Sequence, residues 1–299
     1  MSTALVLGAG GLTGSAFHAG ALQGLRDAGW DAATADLVVG TSAGSSTGAS
    51  LRADIPVEDL YAGHTGGRVS DATEAKRRRL PTALDFTAPP AVEGRRPLSA
   101  ALGSRALLRR GLPRWGLLYG GLAPRGRMDS LRIAARIDGV YDGVRWPEDP
   151  FWVCAVRVRD GRLRVFGREA SEATVGQAVA ASSAVPGLLA PVSIDGQDHV
   201  DGAVHSPTNA DQVAGLGFDR VVVVAPMAGR VDWRQTVRAY HAQLLRQEAA
   251  KVRSRGSEVV VIEPDADVLE AMGPRAMTPG REKPVAEAAR RLGAAALSR

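Results

Sequence analysis

Leu37-Val38-Val39-Gly40-Thr41-Ser42-Ala43-Gly44 is the stretch on which the reading of this chain turns. A short apolar run ends in a serine with glycines two positions to either side, and Ser45-Ser46-Thr47-Gly48-Ala49 follows at once. That order describes a strand turning sharply into a helix, with the serine on the turn and its Oγ open to a substrate carbonyl. The small residues let the helix pack close to a sheet, with Gly44 and Gly48 on one face. In a chain holding 35 glycines the pattern also arises by chance, so its context has to carry the reading.

Before the serine stands a second unit of the same kind. Thr3 to Leu7 reads as a strand, Gly8-Ala9-Gly10-Gly11-Leu12-Thr13-Gly14 as a glycine turn, and Ser15 to Ala28 as a helix. Two such units in succession are the front of a parallel α/β sheet. Amides at the start of that helix would face an anion, and two ligands fit. A dinucleotide phosphate calls for G-x-G-x-x-G, but the frame from Gly8 puts Thr13 at the last glycine, and neither Asp31 nor Asp36 is decisive as a ribose acceptor. The other is the oxyanion of a tetrahedral acyl intermediate, for which Gly10, Gly11 and Leu12 would supply the donors.

Farther along, Phe151 to Val158 and Leu163 to Phe166 read as a hairpin turning at Asp160-Gly161. A helix from Val175 to about Ala181 precedes Ser182 to Val192, which is too proline-broken to be helical. Gly196 to Val200 then leads into Asp201-Gly202-Ala203. Strand 220–225, helix 233–253, strand 258–262 and helix 284–297 close the pattern. The expectation is one α/β domain over 1–299, its core motifs within 3–225 and residues 226–299 completing it. Aromatic residues make up only 5% of the chain, so Ala, Val and Leu must build the core.

Residues 63–127 break the pattern with repeated prolines and read as an insertion or cap. Lys76-Arg77-Arg78-Arg79 and Arg109-Arg110 concentrate much of the net charge of +5 there. Leu98, Leu102, Ala106 and Arg109 recur at helical spacing, followed by Trp115, Leu117, Leu118 and Tyr119. The first reading is a solvated basic face; the second is a lipid-facing lid in which 76–79 and 105–127 touch an anionic membrane. No RNP, zinc-finger or helix-turn-helix pattern accompanies the charges, so nucleic acid is not expected as a partner. The single cysteine, Cys154, lies in an apolar strand and reads as core filling. The N-terminus lacks a basic leader and no apolar run reaches the ~18 residues of a membrane span, so a cytoplasmic, at most peripheral, protein is expected. Oligomeric state has no signature here.

A nucleophilic Ser42 needs a base. The histidines are His18, His64, His199, His205 and His241, and a Ser42-Asp201-His205 triad follows a known chain order. Its acid and histidine would, however, share one short turn, whereas such groups ordinarily come from separate loops. Asp201 alone is the simpler base, provided that burial raises its proton affinity above that of a free carboxylate.

The glycine-rich turn, Gly40-Thr41-Ser42-Ala43-Gly44, Ala181-Ser182-Ser183-Ala184-Val185-Pro186 and Asp201-Gly202-Ala203, in this order, resemble the patatin-like phospholipases over about residues 3 to 225. The resemblance implies a three-layer α/β/α sandwich with a mostly parallel sheet and a Ser-Asp dyad. Ser42 would be the nucleophile, Asp201 the general base, and Gly10, Gly11 and Leu12 the oxyanion hole, with Gly40, Gly44 and Gly202 as motif support. A lipid or other carboxyl ester would be the substrate, an acyl-serine the intermediate, and no metal or cofactor is implied. Ala9 stands where the family motif starts with Gly, and Thr13 where it carries Arg or Lys. The second departure removes a cation near the oxyanion loop and leaves ester hydrolysis as the firmer expectation. A non-catalytic module binding anionic lipid or nucleotide, and an acyltransferase using an alcohol in place of water, are the other readings.

Overall fold

Strands rich in Val, Leu and Ala on both faces suit a parallel sheet covered by helices above and below. The computed structural model of the protein describes residues 1–78, 80, 92–98, 115–229 and 236–297, and it holds such a sheet. In chain order the strands are β1 (Thr3–Leu7), β2 (Leu37–Thr41), β3 (Val92–Pro97), β4 (Pro124–Gly126), β5 (Phe151–Arg157), β6 (Leu163–Phe166), β7 (Val192–Ile194), β8 (Gln197–Asp201), β9 (Arg220–Val224) and β10 (Glu258–Ile262). The main sheet runs β10-β9-β1-β2-β5-β8-β7, with β6 also on β5, and its five members from β10 to β5 are parallel. β6, β8 and β7 are antiparallel additions, the first through the expected hairpin.

Strand side chains alternate between two cores. Leu5, Leu7, Val38, Val153, Val222 and Val224 face one layer; Ala4, Val6, Val39, Cys154, Val221 and Val223 face the other. The first layer holds α1 (Gly11–Asp27), α2 (Ala43–Arg52), α7 (Val175–Ser182) and the C-terminal α10 (Glu282–Ala296), joined through Phe17, Leu22, Leu25, Ala180 and Ala286. The second holds α8 (Thr236–Arg253), through Ala242, Leu245 and Val252. The result is the expected three-layer sandwich, with Cys154 inside it. α1 starts at Gly11, earlier than the expected Ser15, because the end of the glycine turn already closes a helical bond from the Gly14 amide to the Gly10 carbonyl.

In the stretch read as an insertion lie the end of α3 (Val57–Thr65), α4 (Asp71–Arg78), the β3–β4 ladder and α5 (Trp115–Leu122). α6 (Leu131–Tyr141) follows, and α9 (Ala266–Met272) precedes α10. α4 was not expected from its charge. Asp71 and Glu74 in its first turn and Lys76, Arg77 and Arg78 in its last complement the helix dipole, and buried Asp59 takes hydrogen bonds from Ser70 and Thr73 at its start. Lys76 is tied to the body through the Ala53 carbonyl. Of the helix read over 98–109, all but Leu98 falls outside the described residues, as do Arg79 and Arg109-Arg110. Among the described residues no helix is long and apolar enough to cross a membrane.

Candidate active site

β5 brings together two segments far apart in sequence. β2 runs parallel to it and ends with Thr41 beside Cys154, whereas β8 runs antiparallel and ends with Asp201 beside Ala155. β6 fills the opposite edge of β5 over the same residues, so β2 and β8 lie end to end on one edge with their C-termini facing. The residues at that junction are Ser42 and Asp201. Ser42 Oγ donates to Asp201 Oδ2 at 2.7 Å.

Ser42 has φ 54° and ψ −122°, a left-handed conformation that costs a residue with a Cβ about 1–3 kcal/mol and persists only where the surroundings impose it. Here they do. A Cβ on Gly44 would lie 2.0 Å from the Leu7 carbonyl oxygen, and one on Gly40 would lie 2.4 Å from Ser45 Cα. The glycines flanking Ser42 thus let α2 start directly against β1 and fold back on β2. The Ser42 amide donates to Ser182 Oγ at 2.9 Å, and Ser182 Oγ donates to the Cys154 carbonyl at 2.6 Å. At its far end α2 is pinned by Arg52, whose guanidinium reaches the Ala33, Ala35 and Pro150 carbonyls.

Asp201 is 3% exposed. Its Oδ1 accepts from the Ala203 amide at 2.8 Å, and its own amide donates to the Ala184 carbonyl at 3.0 Å. Burial pushes the carboxyl from 3.8 up to about 7, against the smaller opposing pull of the hydrogen bonds from Ala203 and Ser42. A carboxylate with that affinity is matched to taking a proton near neutrality. The turn behind it fits only without a side chain, since a Cβ on Gly202 would lie 2.2 Å from the Cys154 carbonyl oxygen.

The glycine turn starts beside the serine turn, where a Cβ on Gly44 would meet the Leu7 and Gly8 carbonyl oxygens. Leu7 is paired with Gly40 on adjacent parallel strands, so the residues after Leu7 and Ser42 leave the sheet at the same edge. Gly8 donates to the Val224 carbonyl, Ala9 to Pro207, Thr13 to Ala276 and Gly14 to Gly10. The amides of Gly10, Gly11 and Leu12 have no hydrogen-bond partner among the described residues, which leaves them as a row of donors at the N-terminus of α1. Thr13, where a cation was expected by resemblance, is 1% exposed and gives both its amide and its hydroxyl to the Ala276 carbonyl. It ties the 273–281 connection to the loop.

None of the bonds made by Asp201 comes from a histidine. His199 shares β8 with it but packs edge-on against Phe166, and its burial lowers its proton affinity. His205 Nδ1 meets Asn209 Oδ1 at 2.8 Å. The Asn209 amide nitrogen in turn donates to Ser206 carbonyl at 2.7 Å and to Thr41 Oγ1 at 3.1 Å, directly below the serine turn. Sequence reasoning assigned no role to Asn209 or Ser182; both act through partners that only the fold supplies. Among the described residues no group of three His, Cys, Asp or Glu side chains is placed to hold a metal ion.

A family model described as patatin-like phospholipase matches residues 5–214. Among solved structures, the chain is similar to VipD from Legionella pneumophila, with 12% identity and a TM-score of 0.44 over 99% of this chain and 67% of that one. It is also similar to the type III effector protein ExoU, with 18% identity and a TM-score of 0.44 over 99% of this chain and 53% of that one. The chain therefore spans about two thirds of the first and about half of the second. A comparison with curated protein sequences yields no match.

Proposed function

We propose that this chain, which belongs to the patatin-like phospholipase family, is a lipid acyl hydrolase that works through Ser42 and Asp201 alone. The observation that carries the reading is the 2.7 Å hydrogen bond from a strained serine to a buried carboxylate. In the proposed reaction Ser42 Oγ attacks the ester carbonyl carbon as its proton passes to Asp201 Oδ2. The carbonyl oxygen becomes an oxyanion held by the amides of Gly10, Gly11 and Leu12. Collapse of this intermediate breaks the ester C–O bond, and the leaving alcohol takes the proton from Asp201. Water then gives a proton to Asp201 as it attacks the acyl carbon; the Oγ–acyl bond breaks, the proton returns to Ser42, and a fatty acid leaves.

The substrate reading is tested with p-nitrophenyl esters of graded acyl length, together with phospholipids of neutral and anionic head group. Hydrolysis that rises with acyl length supports a lipid substrate. Activity confined to acetyl and butyryl esters would remove it.

A pH profile follows from the buried base. Asp201 must be ionised to accept the serine proton, so kcat/KM is expected to rise tenfold per pH unit below about 7 and to level off above it. A profile already flat from pH 5 upward would contradict a carboxyl raised by burial.

For substrate delivery we propose contact with an anionic lipid surface through 76–79 and 105–127. α5 packs on the turn after Asp201 by burying Leu117 against Val156, Val200 and Val204, and it leaves Tyr119 and Leu122 more than 60% exposed. It carries no charged residue, and exposed Arg77, Arg78 and Arg127 offer cations elsewhere on these stretches. Changing Arg77 and Arg78 to Gln is expected to weaken binding to phosphatidylglycerol vesicles about tenfold at low salt. Unchanged sedimentation with vesicles would leave these charges as a solvated face.

A further inference from the structure

Resting on the assignment of Ser42 and Asp201 as nucleophile and base, we propose that Ser182-Ser183-Ala184 is a clamp that fixes their separation, with the Ser182 hydroxyl as its positioning group. The segment touches both partners. Ser182 Oγ accepts the Ser42 amide at 2.9 Å, and the Ala184 carbonyl accepts the Asp201 amide at 3.0 Å. One contact comes from the last residue of α7 and the other from two residues beyond it, so a shift of that helix end moves nucleophile and base together.

The end of α7 is itself held. Thr174 and Gln177 close a capping box at its start, and Asp138 receives the Thr174 hydroxyl and the Gly176 amide. At its finish the Ser183 amide returns to Val179 and Ala180, and Ser182 Oγ donates to the Cys154 carbonyl of β5 at 2.6 Å. Position 182 is fully buried and must accept one hydrogen bond and donate another within the volume of two heavy atoms. Serine meets that demand. Alanine leaves a buried N–H and a buried C=O unpaired, and threonine adds a methyl group.

The clamp has two consequences for catalysis. It supplies the hydrogen bond that holds the left-handed backbone of Ser42, and without it that backbone is free to relax and draw Oγ away from Asp201 Oδ2. It also engages the Ser42 amide, so that amide is not a donor to the oxyanion, and this role falls to the Gly10, Gly11 and Leu12 amides.

The test compares wild type with Ser182→Ala and Ser182→Cys on p-nitrophenyl butyrate, with active sites counted by a fluorophosphonate and folding followed by near-UV circular dichroism. Ser182→Ala is expected to lower kcat per folded molecule about 100-fold, as a misplacement of about 1 Å does, with KM within about twofold. The midpoint of its pH profile moves upward from about 7, because Asp201 keeps its burial but loses the hydrogen bond from Ser42 Oγ that opposes it. Ser182→Cys, a weak donor and acceptor of nearly the same shape, is expected to fall between the two. If Ser182→Ala does not fold, Ser182→Cys decides: lowered kcat at unchanged KM supports the clamp, and unchanged kcat overturns it. A wild-type kcat in folded Ser182→Ala, or a loss confined to KM, also overturns it. The assignment it rests on is checked separately, since a fluorophosphonate that labels Ser42→Ala as well as wild type contradicts the dyad whatever the Ser182 variants do.

Discussion

Asp201→Asn is expected to lower kcat about 10⁴-fold, the scale seen when the acidic member of a hydrolase triad loses its charge. The variant keeps the shape of the side chain. Its oxygen can still accept from the Ala203 amide, and its NH₂ group faces Ser42 Oγ, to which it donates where the carboxylate had accepted. The serine proton then has no acceptor. The same change is expected to stabilise the fold. A carboxyl raised from 3.8 to about 7 binds a proton more tightly in the folded than in the unfolded chain, so its contribution to stability is lost as pH rises from about 4 to about 7. Asparagine removes that penalty, and at pH 8 the gain is as much as about 4 kcal/mol. Loss of turnover together with a higher Tm would mark Asp201 as a group held for chemistry at a cost in stability. His199→Ala and His205→Ala are expected to retain most of the activity, and the reverse ranking would point to a histidine base.

Ser42→Ala is expected to reduce hydrolysis of every ester in the graded panel on the order of 10⁶-fold, the loss that accompanies removal of a serine nucleophile. The fold should survive, since the residue's structural bonds are made by its backbone: its amide to Ser182, its carbonyl to the Ser45 amide and hydroxyl. Alanine at φ 54° bears the same strain as serine, so no gain in stability offsets the loss. Removing the hydroxyl leaves the Asp201 carboxylate short of one hydrogen bond, which raises its proton affinity further. Residual turnover within a hundredfold of wild type would mean that another group does the work.

The pieces of the site with local signatures were legible in the sequence. Leu37 to Gly44 announces the turn, Gly8 to Gly14 the row of amides, and Asp201-Gly202 the tight turn whose glycine lies against Cys154. What brings them together was not. That β8 stops where β2 stops, on the same edge of β5, is a matter of long-range pairing, and nothing in Gln197 to Asp201 names the strand beside it. Ser182 belonged to a stretch recognised by resemblance alone, and its physical work appears only when Ser42 and Cys154 are seen on either side of its hydroxyl. Thr13 shows the same limit: in the sequence it is only the absence of a cation, whereas in the fold its bonds go to Ala276, 263 positions away. For α4 the net charge is no guide: what favours the helix is the placement of acids in its first turn and bases in its last.

Mapping of a fluorophosphonate adduct by peptide mass spectrometry on the wild-type protein at pH 8 tests the dyad most directly. The expected result is one modified serine, Ser42, labelled at a rate that falls steeply in Asp201→Asn and with no adduct in Ser42→Ala. An adduct on any other residue, or undiminished labelling of Ser42→Ala, would contradict it.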